Sequence, residues 1–372
     1  MIQALYLHIP FCHTICSYCD FPKMVASPSL MDEYVEALIT ELTMTPYDLS
    51  HLTTLFIGGG TPSHLSYAQT ETLLKALKET LQRTRILEFN IEANPNDITE
   101  SRVALWRKYG VNRVSLGVQT TNESMLRTLN RTHSIQDATR AIHLLREGGI
   151  EHVSCDFIFG LPNQTTTDVK VDVEWIANQS IDHLSFYQLI LEERTKLYYD
   201  VMHKTVFLPE EDQIIEMMDL LDDSLPKLGF IQYEISNYAK QGSDSLHNQV
   251  YWKTQEYLGL GMGAHSQVGL TRFHNHKTIK AYLEAVKTTK SGREEMDDCN
   301  LMMESLFLGL RLNQGIHQEQ WRGRFGVDLF EKYPKLQYYI NQGLLVQEEG
   351  YLKTTPRGRR LLGQIESVLM ES

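Results

Sequence analysis

The chain has 372 residues, 42% of them hydrophobic and 22% charged, which suits a globular protein of two or three domains with a sizeable core. Its net charge of -12 disfavours general nucleic-acid binding, because that needs a basic face. Five cysteines, three of them clustered, make no disulfide framework and point to a reducing compartment. The N-terminus lacks signal-peptide features, and no apolar run reaches the roughly 18–20 residues of a spanning helix. The expected location is the cytoplasm, with at most peripheral contact with a membrane.

Short β-rich runs recur along the first half: Ala4–Ile9, Leu52–Ile57, Leu87–Glu92, Arg113–Val118, Val153–Phe159 and His183–Ile190. Between them apolar residues fall at helical spacing, over Pro28–Met44, Ala68–Leu81, Ile135–Arg146 and Thr166–Ala177. This alternation predicts parallel strands with helical crossovers. Six units are too few for a closed eight-unit barrel and suit a partial one, whose chemistry gathers at the C-terminal strand ends.

Cys12, Cys16 and Cys19 follow the first run at CxxxCxxC spacing. Three thiolates so spaced can hold one face of a [4Fe–4S] cluster and leave its fourth iron without a protein ligand. The amino and carboxylate groups of S-adenosylmethionine (SAM) suit that iron as hard donors. A structural zinc would need a fourth ligand nearby, usually from a second CxxC or HxxxH pair; His13 lies inside the loop, and no such pair follows.

Each predicted strand ends in a polar or glycine-rich cluster. Gly58-Gly59-Gly60-Thr61-Pro62 either brings backbone N–H groups close to a ligand or is a tight turn. Glu92 either accepts from a ligand ammonium or ribose or caps a helix. Gln119 closes the fourth strand. Asp156 lies in an apolar run and needs a partner; Arg131 is that partner or faces a ligand carboxylate as a fork. Together these clusters point to one pocket.

The run from Tyr6 to Cys12, the GGGTP loop, the EANP corner, GVQ and DFIFGLP resemble the oxygen-independent coproporphyrinogen III oxidase family, HemN and its relatives, over nearly the whole chain. The resemblance implies a radical SAM core, a partial (βα)6 TIM-type barrel, with SAM contacts at Tyr6, Gly59, Gly60, Thr61, Glu92, Gln119, Arg131 and Asp156. Two departures separate the chain from the oxidase itself. Phe21 stands where the oxidase has a fourth cysteine, and the first cluster cysteine is already residue 12, without the oxidase's N-terminal extension. The segment His247-Asn248-Gln249-Val250-Tyr251-Trp252 matches the HNxxYW motif of the family's haem chaperone branch. That resemblance implies haem as a ligand, haem-acceptor proteins as partners, and no coproporphyrinogen III dehydrogenase activity. His247 is the candidate axial nitrogen, beside the flat surfaces of Tyr251 and Trp252, or else a packed loop residue; His265 is its rival. The alternative reading is a radical SAM oxidase or decarboxylase acting on coproporphyrinogen III or another tetrapyrrole.

The expected domains are the barrel over 1–195, a connecting region with the haem motif over 196–290, and a C-terminal module over 291–372. In the last, helices over Asn300–Leu312 and Val327–Ile340 precede a hairpin joining Leu344-Leu345-Val346 to Tyr351-Leu352-Lys353. That order predicts an α+β winged-helix-like domain. It has no strong basic stripe, so it reads as a cover or partner surface, with no nucleic acid expected.

Overall fold

The computed structural model describes residues 1–286 and 292–370. Six parallel strands form its centre: β1 (Ala4–Ile9), β2 (Thr54–Gly59), β3 (Glu88–Ala93), β4 (Arg113–Gln119), β5 (His152–Phe159) and β6 (His183–Gln188). They lie side by side in chain order, with Ala4 opposite Thr54 and Asp156 opposite Ser185. The crossovers carry α1 (Pro28–Thr43), α2 (Tyr67–Thr80), α3 (Glu100–Lys108), α4 (Glu123–Thr128), α5 (Ile135–Glu147) and α6 (Thr166–Ala177). Local chemistry starts these helices where it should. Ser66 with Gln69, Ser134 with Asp137 and Thr165 with Asp168 form reciprocal capping boxes for α2, α5 and α6.

Strand periodicity divides each strand between two faces. Leu5, Leu7, Leu55, Ile57, Phe89, Ile91, Val114, Leu116, Val153, Cys155, Leu184 and Phe186 are at most 5% exposed and join one apolar core under the helices. Each such side chain stabilises the fold by about 1.5–3 kcal/mol. The alternate residues face the concave side and are mostly polar: Tyr6, Asn90, Glu92, Ser115, Ser154, Asp156 and Ser185.

The sheet is open and is extended at both edges. After α7 (Lys196–Met202) and α8 (Glu211–Ser224), β7 (Ile231–Gln232) and β8 (Asn237–Ala239) add to β6 antiparallel. Glu210 is the N-cap of α8 and forms a capping box with Gln213. On the other side β9 (Tyr257–Leu260) runs parallel to β1. Beyond it come β10 (His265–Val268), β11 (Thr271–His274) and, after α10 (Ile279–Ala285), β12 (Gly292–Glu295). Between β9 and β10 the chain turns a corner at Gly261, which packs against Tyr34 and the His8 carbonyl.

The N-terminal end of the strands is closed by α9 (Leu246–Trp252). Glu88 at the start of β3 accepts from Leu246 N and His247 N, each at 2.9 Å, and pairs with Arg113 at 3.0 Å. A carboxylate under a helix N-terminus satisfies amides that the helix itself leaves free.

A second apolar core gathers Leu306, Leu310, Trp321, Leu336, Leu352 and Ile365. Its helices are α11 (Asp298–Arg311), α12 (Gln318–Phe325), α13 (Leu329–Lys332), α14 (Leu336–Asn341), α15 (Pro356–Arg360) and α16 (Leu362–Met370). Its sheet is β13 (Ile316–His317), β15 (Tyr351–Thr354) and β14 (Leu345–Glu348), in that order. The helix expected over Val327–Ile340 is two short helices instead. Pro334 lacks the N–H a continuous helix needs and disfavours helical Tyr333 before it. The expected boundary near residue 290 falls on residues 287–291, outside the described residues.

Candidate functional site

A cavity of about 470 Å³ opens at the C-terminal ends of the parallel strands. Cys12, Cys16 and Cys19 line one wall. Their loop is pinned by its backbone: Cys12 N–H donates to Met24 O at 3.0 Å, and Leu197 N–H donates to Ser17 O at 2.8 Å. The Lys23 ammonium donates to Cys19 O. The glycine loop after β2 lies directly on this wall. A Cβ on Gly60 would stand 2.9 Å from Cys12 Sγ and from Phe11 O, so only glycine allows that approach. The loop amides are not free for a ligand, as the sequence suggested. Gly59 N–H donates to Glu92 Oε2 at 2.9 Å and Gly60 N–H to Ile9 O at 2.8 Å.

The thiols test the metal readings. All three are free, and they share one cavity. Among the described residues no three His, Cys, Asp or Glu side chains converge where one ion could sit. A tetrahedral zinc wants its donors around one point. A cubane takes each thiolate on a different iron, so three thiols lining one cavity wall fit it. Burial raises the Cys12 thiol and pushes the Cys19 thiol up to about 11, so burial favours their protonated form in the empty site and a bound cation would favour the thiolates. His13 is turned away, with Nε2 2.9 Å from His64 Nδ1 and 3.2 Å from Asp97.

The opposite wall carries Glu92, Gln119, Arg131 and Asp156, with Thr61 beside them. Burial pushes the Glu92 carboxyl up to about 8, against the pull of the Gly59 N–H and with a further push from Asp156. Burial likewise raises Asp156 to about 6, offset by the Ser185 hydroxyl and the Arg131 charge. The expected Arg131–Asp156 pair is not made. Arg131 Nη2 donates to Asn94 Oδ1 at 2.8 Å and Gly117 O at 2.5 Å, and Nη1 lies 3.6 Å from Cys16 Sγ. Burial works against its charge, but Tyr18 and the cysteine thiols beside it hold its pKa up. Gln119 ends β4 at φ 70, next to a bulge between Gly117 and Gln119. A left-handed non-glycine residue at a cavity wall is strain held by its surroundings.

Two expected residues stand apart. Tyr6 does not line the cavity: its hydroxyl meets His8 Nδ1 at 3.0 Å and its ring packs on Phe56. His247 lies at the opposite end of the strands, 1% exposed. Its Nδ1 meets Thr54 Oγ1 at 2.9 Å and its Nε2 meets the Tyr251 hydroxyl at 2.8 Å. With both nitrogens engaged and burial lowering its pKa to about 3, the ring is a neutral packed group, not an open axial ligand. The physical reason is that α9 plugs the barrel and turns its motif inward. Trp252 instead takes the Arg311 guanidinium 4.6 Å over its ring. His265 is exposed at the far edge, opposite His274 in the β10–β11 ladder. The tertiary structure adds Tyr18, Asn94, Ser115, His133 and Tyr187 to the cavity wall. Tyr18 sits inside the cysteine motif and His133 two residues past Arg131, signals that neighbourhood alone could have raised.

Three thiols and a set of carboxylate, amide and guanidinium groups, meeting at the C-terminal ends of a partial barrel, define a radical SAM protein. Residues 6–176 match the Radical SAM superfamily and residues 297–361 the HemN C-terminal domain. In solved structures the fold is similar to coproporphyrinogen III oxidase, HemN, from Escherichia coli. The TM-score is 0.84, at 23% identity, over 99% of this chain and 90% of that one. The chain is 37% identical to heme chaperone HemW of Lactococcus lactis, over 96% of this chain and 95% of that protein. It is 34% identical to heme chaperone HemW of Bacillus subtilis, over 98% of each. The chain belongs to the HemW family.

Proposed function

We propose that this protein is a haem chaperone: it binds haem and a SAM-ligated [4Fe–4S] cluster and delivers haem to acceptor proteins. The observation that carries the haem reading is the near full-length similarity to relatives named heme chaperone HemW. The geometry supports the cofactor half. Cys12, Cys16 and Cys19 would hold the cluster, and Gly59, Gly60, Thr61, Glu92, Gln119, Arg131 and Asp156 surround the space left for SAM. A cluster held by three cysteines supplies an open iron for the amino and carboxylate groups of SAM, and a single electron. Arg131, fixed by Asn94 and Gly117 O, sets a positive charge beside the thiolates. Glu92 holds its proton in the empty pocket at neutral pH and Asp156 does so only in mild acid, and a positively charged ligand favours the ionised form of both.

Haem would meet the protein at a surface other than the His247 ring as it now packs. The cavity rim carries Phe21 and Ile190, 62% and 70% exposed, an apolar border suited to a flat macrocycle. Acceptors in or at a membrane would be met by peripheral contact, and the site of action would be the cytoplasm. The test is anaerobic reconstitution followed by parallel haem titration, haem transfer to an apo-haemoprotein, and a coproporphyrinogen III conversion assay. Haem binding and transfer without conversion support the reading. Conversion at the rate of a true oxidase overturns it in favour of a tetrapyrrole decarboxylase.

A further inference from the structure

His133 plays no part in the account above, yet it is placed as a ligand group. It is 5% exposed and lines the cavity. Its Nε2 lies 3.1 Å from Val118 O. A carbonyl only accepts, so Nε2 carries the proton and Nδ1 keeps its lone pair. Among the described residues Nδ1 has no hydrogen-bond donor. Burial, joined by the Arg131 charge, lowers its pKa to about 4, so the ring is neutral at physiological pH. A backbone carbonyl that locks the tautomer while the other nitrogen stays open is how proteins aim an imidazole at a ligand.

Arg131 and His133 also act on one stretch of backbone. They hold the consecutive carbonyls of Gly117 and Val118, just before Gln119 at φ 70. A Cβ on Gly117 would lie 2.8 Å from both Arg131 Nη2 and Gln119 Nε2. Donors therefore crowd this side of the cavity, and His133 Nδ1 adds an uncharged acceptor among them.

We propose that His133 Nδ1 accepts a hydrogen bond from the nucleoside half of SAM, from a ribose hydroxyl or the adenine amine. The inference rests on the SAM reading above. There the amino acid half of SAM is committed to the open iron, so the ligand donors left are those of the nucleoside. A lone pair left open in a cavity wall gains when a ligand O–H or N–H meets it away from bulk water.

The test uses the full chain with its cluster reconstituted anaerobically. SAM, 5′-methylthioadenosine and methionine are titrated into wild type, His133→Gln and His133→Asn. Gln keeps an amide N–H near the Nε2 position for Val118 O and removes the Nδ1 lone pair. Asn keeps a polar atom near Nδ1 and gives up the reach to Val118. The expected result is about a fivefold to tenfold loss of SAM and methylthioadenosine affinity in His133→Gln, with methionine unchanged. His133→Asn should keep more of that affinity while melting lower. Equal nucleoside affinity in wild type and His133→Gln, or loss only in His133→Asn, would reduce His133 to a backbone prop and overturn the proposal. Loss of a haem or cluster absorption band in His133→Gln with SAM affinity intact would also overturn it, by giving the lone pair to iron. Wild type failing to bind SAM at all would strike the SAM reading itself. Wild type binding SAM, with Asp156→Asn weakened and His133→Gln not, would strike this inference alone.

Discussion

Replacing Glu92 with Gln should make the SAM-free protein more stable and its SAM pocket worse. Glu92 is half-buried in the cavity wall, with one oxygen accepting from Gly59 N–H at 2.9 Å, a bond that the Gln carbonyl can keep. Folded, the carboxyl titrates at about 8 against an ordinary 4.5, so the folded state binds more protons than the unfolded chain between those values. Stability contributed by this group is therefore full below the lower value and falls as pH rises through the window. At pH 7 the gap is worth up to ~3 kcal/mol, and water entering the cavity reduces it to ~1–2 kcal/mol. For a chain of 372 residues that is a rise of about 1–3 °C in melting temperature for Glu92→Gln at pH 7. The gain should grow toward pH 8.5 and vanish near pH 4.5. SAM affinity should fall about 10- to 100-fold, the loss of one charge-assisted bond. The assay is anaerobic thermal unfolding at several pH values, with equal cluster content in both proteins, beside SAM titration. A variant that melts lower than wild type by the same amount at pH 5 and pH 8.5 would refute the reasoning.

Other outcomes follow from the same geometry. Cys12→Ser, Cys16→Ser and Cys19→Ser combined should abolish iron–sulfur absorption after reconstitution while the helical signal persists, because the apolar core does not depend on the cluster; a full cluster in that variant contradicts the assignment. Asp156→Ala should weaken SAM binding at least tenfold with little change in melting temperature, since Asp156 makes no ion pair with Arg131; stability lost with affinity kept would make it a structural residue. SAM affinity should rise with pH from 6 to 8 and binding should release protons, because Asp156 and Glu92 titrate at about 6 and about 8 in the empty pocket; proton uptake on calorimetry in paired buffers would contradict this. His247→Ala should cost about 2–4 kcal/mol in stability by emptying a buried site and orphaning Thr54 and Tyr251, with the cluster spectrum intact. Lower haem affinity in that variant at unchanged stability would mean that the ring leaves its packed position to bind iron.

Much of the barrel was legible because its signals are local. Strand β1 and helix α6 fall on their predicted residues, and the other barrel strands differ by one or two at their ends. Alternation and capping residues act within a few positions, so they survive in a single sequence. Clustering of Glu92, Gln119, Arg131 and Asp156 could also be anticipated, since parallel strands bring all their C-terminal ends to one side. The edge strands β7 to β12 are only two to four residues long, too short for a period to show. The break between α13 and α14 has a local signal in Pro334.

What the sequence by itself determined is therefore the order of units, the apolar face of each, and the three thiols with their spacing. Those follow from short-range sterics and from the chemistry of single side chains. Only the tertiary structure decided partners. Whether Arg131 meets Asp156 or the Gly117 carbonyl, whether the glycine amides stay free, and which nitrogen of His133 is open all depend on atoms 14 or more residues away. The clearest case is HNxxYW. In the sequence His247 beside Tyr251 and Trp252 reads either as an axial ligand or as a packed loop residue, and nothing local decides between them. In the fold Glu88, itself held by Arg113, draws the α9 amides into the barrel floor, and the histidine turns inward to Thr54. That outcome is set by a buried carboxylate satisfying a helix end 159 residues away.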